Sequence, residues 1–226
     1  GTLIRPLPAD GSVKPVSDTR IYPELLYNRI PFSKWLFMFN LTVGLLAFFH
    51  LLYRGLHRPA APDSSGRVGM FPSRLADTFF RVSLYAAFLF QLFGYALRWY
   101  IGGRIPLSNG YETMQFMALC ALFLACLCRR RFPFTVPFGF LLSGFALLVS
   151  YLGQMNPQIT PLMPVLVSPW LSTHVSLIMM SYALFAFMML NGILALCLRR
   201  SARMLMLLSR LLLYPGAFYL GAGIFL

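Results

Sequence analysis

Long apolar runs alternate with short polar, arginine-bearing segments along most of this chain. Residues 1–31 are polar and contain prolines. The apolar runs cover residues 32–53, 75–100, 111–128, 133–152 and 170–198, and a further run begins near residue 211. They are long enough to cross a bilayer as helices and lack the alternation of membrane-barrel strands. The pattern predicts an all-α, polytopic transmembrane helix bundle of about six helices, the last one truncated by the end of the sequence.

The composition agrees with a protein embedded in a lipid membrane. Hydrophobic residues make up 58% of the chain, charged residues make up 11%, and the mean hydropathy is +0.70. Soluble domains contain about 25% charged residues, so lipid must cover much of this apolar surface. In a soluble protein, a formal net charge of +13 would indicate nucleic-acid binding. Here the arginines stand beside apolar runs, and no nucleic-acid partner is predicted.

The positions of the arginines predict how the bundle is oriented. Cytoplasmic loops of membrane proteins carry an excess of Lys and Arg. One side of the predicted bundle collects Arg54, Arg58, Arg67, Arg74, Arg81, Arg129, Arg130, Arg131, Arg199, Arg200, Arg203 and Arg210. This side is predicted to be cytoplasmic. The N-terminus, with an extracytoplasmic linker at residues 1–31, and the loops at 101–110 and 153–169 are then predicted to face outward, and residues 32–226 form the transmembrane domain.

Four cysteines lie within the apolar runs, at Cys120, Cys126, Cys128 and Cys197. Buried helical cysteine behaves as a small hydrophobic residue, and this is the favoured interpretation. A metal site or redox pair is the alternative, but the C-x-C spacing places Cys126 and Cys128 on different faces of a helix.

His174 stands at the predicted outer end of the fifth run, in the stretch "SPWLSTHVSLIMMSYALFAF". Helical spacing places Trp170, His174, Ile178 and Ser181 on one stripe. The histidine can belong to the aromatic belt that membrane proteins place at headgroup level. Alternatively, a flat aromatic ring beside a neutral imidazole suits a planar, iron-bearing ring, because imidazole is the usual proximal haem ligand.

The other two histidines lie at the predicted inner end of the first run. His50 and His57 are seven residues apart, which is about 10 Å along a helix. That distance is too long for both to bind one iron, and neither can reach His174 across the bilayer. The spacing of the three histidines therefore argues against a self-contained cytochrome b, in which two histidines bind one haem iron.

The outer loop "GGRIPLSNGYETMQF" carries a second group of polar residues. Ser108 or Asn109 can cap the following helix, and an acid such as Glu112 in the first turn favours the positive end of the helix dipole. With this capping role alone, replacing Glu112 by glutamine should cost well under about 1 kcal/mol. Alternatively, Glu112 and Arg104 form an ion pair or contact the propionates of a ligand.

Two motifs give the chain a resemblance to a known family. "IPLSNGYETMQF", followed two helices later by "WLSTHVSLIMMSYALFAF", resembles the membrane subunit of system II cytochrome c synthases, the CcsA/ResC type, including its CcsB–CcsA fusions. The family pattern is an outer P-L-S-N-x-Y-E loop and then W-L-x-x-H-V. The resemblance covers roughly residues 20–226, and "YPGAFYLGAGIFL" resembles the helix that leads into the tryptophan-rich WWD loop of the family.

The resemblance implies cytochrome c biogenesis at a bacterial inner membrane. In the family, haem b is held at the extracytoplasmic face between two external histidines, and apocytochrome c brings the two thiols of a C-x-x-C-H motif to its vinyl groups. His174 matches the first external haem-iron ligand, and Trp170 is a possible haem contact. A CcsB/ResB-like half is an implied partner, fused upstream or separate.

The implied activity is that of part of a holocytochrome c synthase of the haem lyase type. The WWD loop and the second external histidine have no counterpart within the sequence, so this chain alone is expected to be inactive as a synthase. The alternative is a haem carrier similar to CcmC-type proteins, which hands haem on without attaching it covalently.

Overall fold

Six helices account for most of the described part of the protein. The computed structural model describes residues 25, 27, 29, 32–56, 73–107, 109–130, 132, 134–153, 169–197 and 202–225. The helices are α1 (Phe32–Leu56), α2 (Ser73–Gly102), α3 (Gly110–Cys128), α4 (Thr135–Leu152), α5 (Pro169–Cys197) and α6 (Ala202–Phe225). No strand occurs within these ranges, and the predicted class, a polytopic helical bundle, is confirmed.

The first five helices are each long and apolar enough to cross a membrane. Their ends lie within three residues of the predicted ends. The exception is α6, which begins at Ala202 and not near residue 211 as predicted. The stretch before Leu211 contains Arg203 and Arg210, which interrupt its apolar residues, so the apolar pattern alone does not predict a helix there. It consists mainly of Ala, Arg, Met and Leu, which are strong helix formers whatever their polarity.

Helices α1 and α4 pack closely in opposite directions. A Cβ atom placed on Gly144 would lie 2.8 Å from Cγ of Leu41, and one on Gly44 would lie 3.0 Å from Cβ of Phe140. Small residues allow this approach, as is common between membrane helices. In the same interface the side-chain amide of Asn40 donates a hydrogen bond to Ser143 Oγ at 2.9 Å.

The main apolar core contains residues of all six helices, most of them from α3 and α4. Its fully buried members include Ala121 and Leu122 of α3 and Phe138, Phe140 and Leu147 of α4. Cys120 is buried in the same helix, and Cys126 and Cys128 are partly buried. All three are free thiols that fill space as small apolar groups.

Aromatic side chains mark one end of the bundle, which we call the tryptophan face. It contains the beginnings of α1 and α3 and the ends of α2 and α4. Trp35 of α1 and Trp99 of α2 are exposed there, and Phe37 contacts Tyr151 of α4 with 5.2 Å between ring centroids. Tryptophan and tyrosine are enriched where a membrane meets water. At the opposite face Arg129 Nε donates to Tyr85 Oη at 2.8 Å.

Helices α5 and α6 also run in opposite directions. A Cβ atom placed on Gly216 would lie 3.0 Å from the ring of Phe185, and one on Gly223 would lie 2.8 Å from Ile178. The end of α6 therefore lies against the beginning of α5. This is the part of α5 that carries His174.

Candidate functional site

The loop between α2 and α3 is a compact turn on the tryptophan face. Gly103 ends α2 with a φ of 64°, and its N–H donates to the Trp99 carbonyl at 2.9 Å. A positive φ favours glycine because it has no Cβ. Tyr95 Oη then donates to the Pro106 carbonyl at 3.3 Å, which holds the loop against α2.

Asn109 is the residue that caps α3. Its side-chain oxygen accepts a hydrogen bond from the Glu112 N–H at 2.8 Å, and its carbonyl accepts one from Thr113 Oγ1 at 2.9 Å. This arrangement satisfies an N–H group that a helix start otherwise leaves without a partner. It confirms one of the two predicted caps, while Ser108 lies outside the described residues.

The carboxylate of Glu112 forms a buried ion pair. Arg98 Nε lies 3.0 Å from Glu112 Oε1, and each side chain is only 2% exposed. The predicted position of Glu112 in the first turn of α3 is correct. Its partner Arg98 was not among the predicted site residues, because it lies inside an apolar run. Arg104, the predicted neighbour, is partly exposed on the loop.

Further polar groups extend this ion pair into a network. Arg98 Nη1 donates to Tyr27 Oη at 3.2 Å, and Arg98 Cζ lies 4.9 Å from the ring centre of Tyr111. Tyr111 Oη and Ser33 Oγ are hydrogen-bonded at 2.6 Å. Gln115 donates to Ser33, and Gln91 donates to Gln115 Oε1 at 2.5 Å. The network joins α1, α2, α3 and the residues before α1.

The stripe on α5 passes from an exposed to a buried environment. Trp170 is 68% exposed, His174 and Ile178 are partly buried, and Ser181 is fully buried. Ser181 Oγ donates to the Ile178 carbonyl at 2.7 Å, so its hydroxyl is satisfied within the helix. Among the described residues we find no hydrogen bond or ring contact to the His174 imidazole. The imidazole lies where the stripe passes from exposed to buried surroundings.

The remaining histidines and cysteines do not join this stripe. His50 packs against the ring of Phe80 at 5.7 Å, near the opposite face of the bundle, and His57 lies outside the described residues. Within the described ranges, no group of three or more His, Cys, Asp or Glu side chains could hold a metal ion.

These features define a polytopic membrane protein with a half-buried imidazole near one end of a spanning helix and a capped loop leading into another. The family model of the "Cytochrome C assembly protein" matches residues 107–222. This match begins in the α2–α3 loop, contains the whole His174 stripe and extends into α6. The chain belongs to the cytochrome c assembly protein family.

The chain is also similar to individual cytochrome c biogenesis proteins. It is 33% identical to protein NrfI of Wolinella succinogenes over 172 residues, which are 75% of this chain and 18% of NrfI. It is 30% identical to cytochrome c biogenesis protein CcsA of Cycas taitungensis over 181 residues, which are 75% of this chain and 51% of that protein. With CcsA of Mesostigma viride, identity is 35% over 44% of this chain and 34% of the relative. The chain thus spans about half or less of these relatives.

Proposed function

We propose that this chain holds haem b at the extracytoplasmic face of a bacterial inner membrane and presents it for covalent attachment to apocytochrome c. The carrying observation is the His174 imidazole, half-buried one turn beyond the exposed Trp170. Both residues lie in a helix that the cytochrome c assembly family model covers from end to end. In this proposal haem is the substrate, and His174 is an axial ligand of its iron.

The residues around His174 fit a flat, largely apolar substrate. An indole lies on one side of the imidazole, and Ile178 lies one turn further into the membrane, where it meets Gly223 of α6. Trp170 would cover part of the haem plane, while the half-buried position limits contact with water. Imidazole is the ligand type that haem iron commonly takes from proteins.

Haem attachment itself requires little chemistry from the protein. Each thiol S–H adds across a vinyl double bond, so that sulfur bonds to one carbon and hydrogen to the other, with no leaving group. The nucleophiles come from the C-x-x-C-H motif of the apocytochrome. The contribution of His174 and Trp170 is to fix the position of the ring, because orientation accounts for much of the barrier to such additions.

Arg104 is our candidate for a contact with the haem propionates. It lies on the α2–α3 loop of the tryptophan face and is partly exposed, and a guanidinium group binds carboxylates well. Glu112 belongs to the same loop and helix start, but its carboxylate is held by Arg98. We therefore propose that Glu112 supports the haem site indirectly. The further partners we propose are a CcsB/ResB-like half and the lipid membrane.

The test replaces His174 by alanine in the whole protein. Haem recovered with the purified protein should fall several-fold, and covalent cytochrome c formation in cells should stop. His50→Ala is the matched control, because it removes another partly buried imidazole at the opposite face and should leave haem content unchanged. Unchanged haem content and an unchanged visible spectrum in His174→Ala would show that the ligand assignment is wrong.

Added imidazole provides a second arm of the same test. Truncation of His174 leaves space for a free imidazole molecule, which should bind the iron and restore the visible spectrum. If haem binding depends on His174 but covalent attachment does not occur even in the complete protein with apocytochrome, the chain belongs to a haem carrier of the CcmC type and not to a synthase.

A further inference from the structure

The residues immediately before α1 are attached to the tryptophan face by Arg98. Leu25, Tyr27 and Arg29 are helical, and Tyr27 Oη accepts a hydrogen bond from Arg98 Nη1 at 3.2 Å. Arg98 Cζ also lies 5.8 Å from the centre of the Tyr27 ring. Burial raises the pKa of the Tyr27 hydroxyl above its ordinary value, so this hydroxyl stays neutral and accepts from Arg98.

Arg98 can hold Tyr27 only because Glu112 compensates its charge. A buried guanidinium without a counter-charge is strongly unfavourable, and Arg98 is 2% exposed. Glu112 binds the Nε side of the planar group, which leaves Nη1 directed at Tyr27. The Tyr111 ring beside the guanidinium restricts it further. A planar group with several fixed donors suits this task better than lysine does.

Stability alone does not explain why the protein contains this pair. Apolar residues of similar volume often replace a buried ion pair with no loss of stability. What such residues cannot replace is the directed hydrogen bond from α2 to Tyr27. The ion pair therefore gives Tyr27 one defined position relative to the α2–α3 loop.

We propose that Arg98 and Glu112 form a latch that fixes the segment containing Tyr27 against the ends of α2 and α3. The latch couples the position of Tyr27 to the loop that carries Arg104. In this arrangement Glu112 is a positioning residue that acts through Arg98. This inference does not depend on haem, so it can fail while the proposed function holds, and the reverse is also true.

Hydrogen–deuterium exchange of the purified chain in lipid nanodiscs can test the latch. The double variant Arg98→Met/Glu112→Leu removes both charges and the donor to Tyr27 while keeping the volume similar. Peptides covering residues 25–31 should then exchange about tenfold faster or more, as expected for the loss of a hydrogen bond to a charged group. Peptides from α4 should exchange as in the unmodified protein.

The matched control is Arg81→Met. It removes another arginine of α2, one that contacts Asp77 and Thr78 and not Tyr27. Exchange at residues 25–31 should stay at the level of the unmodified protein. Unchanged exchange at residues 25–31 in the double variant, with α4 still protected, would overturn the latch.

A second variant covers the case in which the double variant loses its fold and α4 also exchanges. Arg98→Lys keeps a positive charge beside Glu112 but lacks the second side-chain nitrogen that donates to Tyr27. Faster exchange confined to residues 25–31 in Arg98→Lys supports the latch, and unchanged exchange there refutes it.

Discussion

The role of Glu112 depends on its burial, which its sequence position does not reveal. The spacing of asparagine and glutamate predicted a capped helix start, and Asn109 does cap α3. A carboxylate at such a position is usually solvated. Here it is 2% exposed and paired with Arg98. The pairing depends on how α2 and α3 are set against each other, and a single sequence does not determine that register.

Glu112→Gln should therefore destabilise the protein much more than a cap substitution would. Glutamine leaves the buried Arg98 charge without compensation, and removal of one partner of a buried ion pair costs about 3 kcal/mol or more. The midpoint of thermal unfolding in detergent, followed by circular dichroism, measures the effect. Arg81→Gln is the control. Arg81 lies on α2, the helix of Arg98, but its side chain is exposed, so its replacement should change stability little. A midpoint for Glu112→Gln equal to that of Arg81→Gln would contradict the importance of the ion pair.

At the level of whole helices, length and apolarity predicted the number and order of the helices in the described part of the chain. They did not predict which helices pack together. The contact of α1 with α4 relies on Gly44 and Gly144. A glycine in an apolar run does not indicate which other helix will pack against it. The apolar pattern did not predict the start of α6, because Arg203 and Arg210 interrupt it. Such arginines can remain within a helix, since their long side chains carry the guanidinium group to the membrane surface.

Two glycine-to-alanine substitutions should differ in their effect on stability. An alanine Cβ at Gly144 would lie 2.8 Å from Leu41 Cγ and 3.0 Å from the Leu41 backbone nitrogen. At Gly192, no atom of the described residues outside the adjoining part of its own helix lies within 4 Å of the corresponding position. Forced overpacking costs about 1–3 kcal/mol, so Gly144→Ala should lower the thermal midpoint. Gly192→Ala should leave the thermal midpoint unchanged or raise it slightly, because alanine has a higher helix propensity than glycine. Equal midpoints for the two variants would show that α1 and α4 are not closely packed at Gly144.

For the whole molecule, orientation in the membrane decides whether His174 faces the compartment where cytochromes c mature. The described contacts place the beginnings of α1 and α3 and the ends of α2 and α4 on the tryptophan face. Arg129 and Arg130 lie at the opposite face, and an excess of arginine is typical of cytoplasmic loops. If successive helices alternate in direction as far as α5, its beginning also lies on the tryptophan face, with His174 directed outward.

Cysteine labelling of intact cells with a membrane-impermeant maleimide tests this orientation. Ile105→Cys on the α2–α3 loop and Leu171→Cys at the beginning of α5 replace exposed residues and should both react. Arg130→Cys, exposed at the opposite face, should react only after the membrane is permeabilised. The unmodified chain supplies the background, since its described thiols are buried or partly buried. Labelling of Leu171→Cys only after permeabilisation, together with Arg130→Cys, would place His174 on the cytoplasmic side. Haem bound there could not be presented to an apocytochrome outside, even if His174 were its ligand.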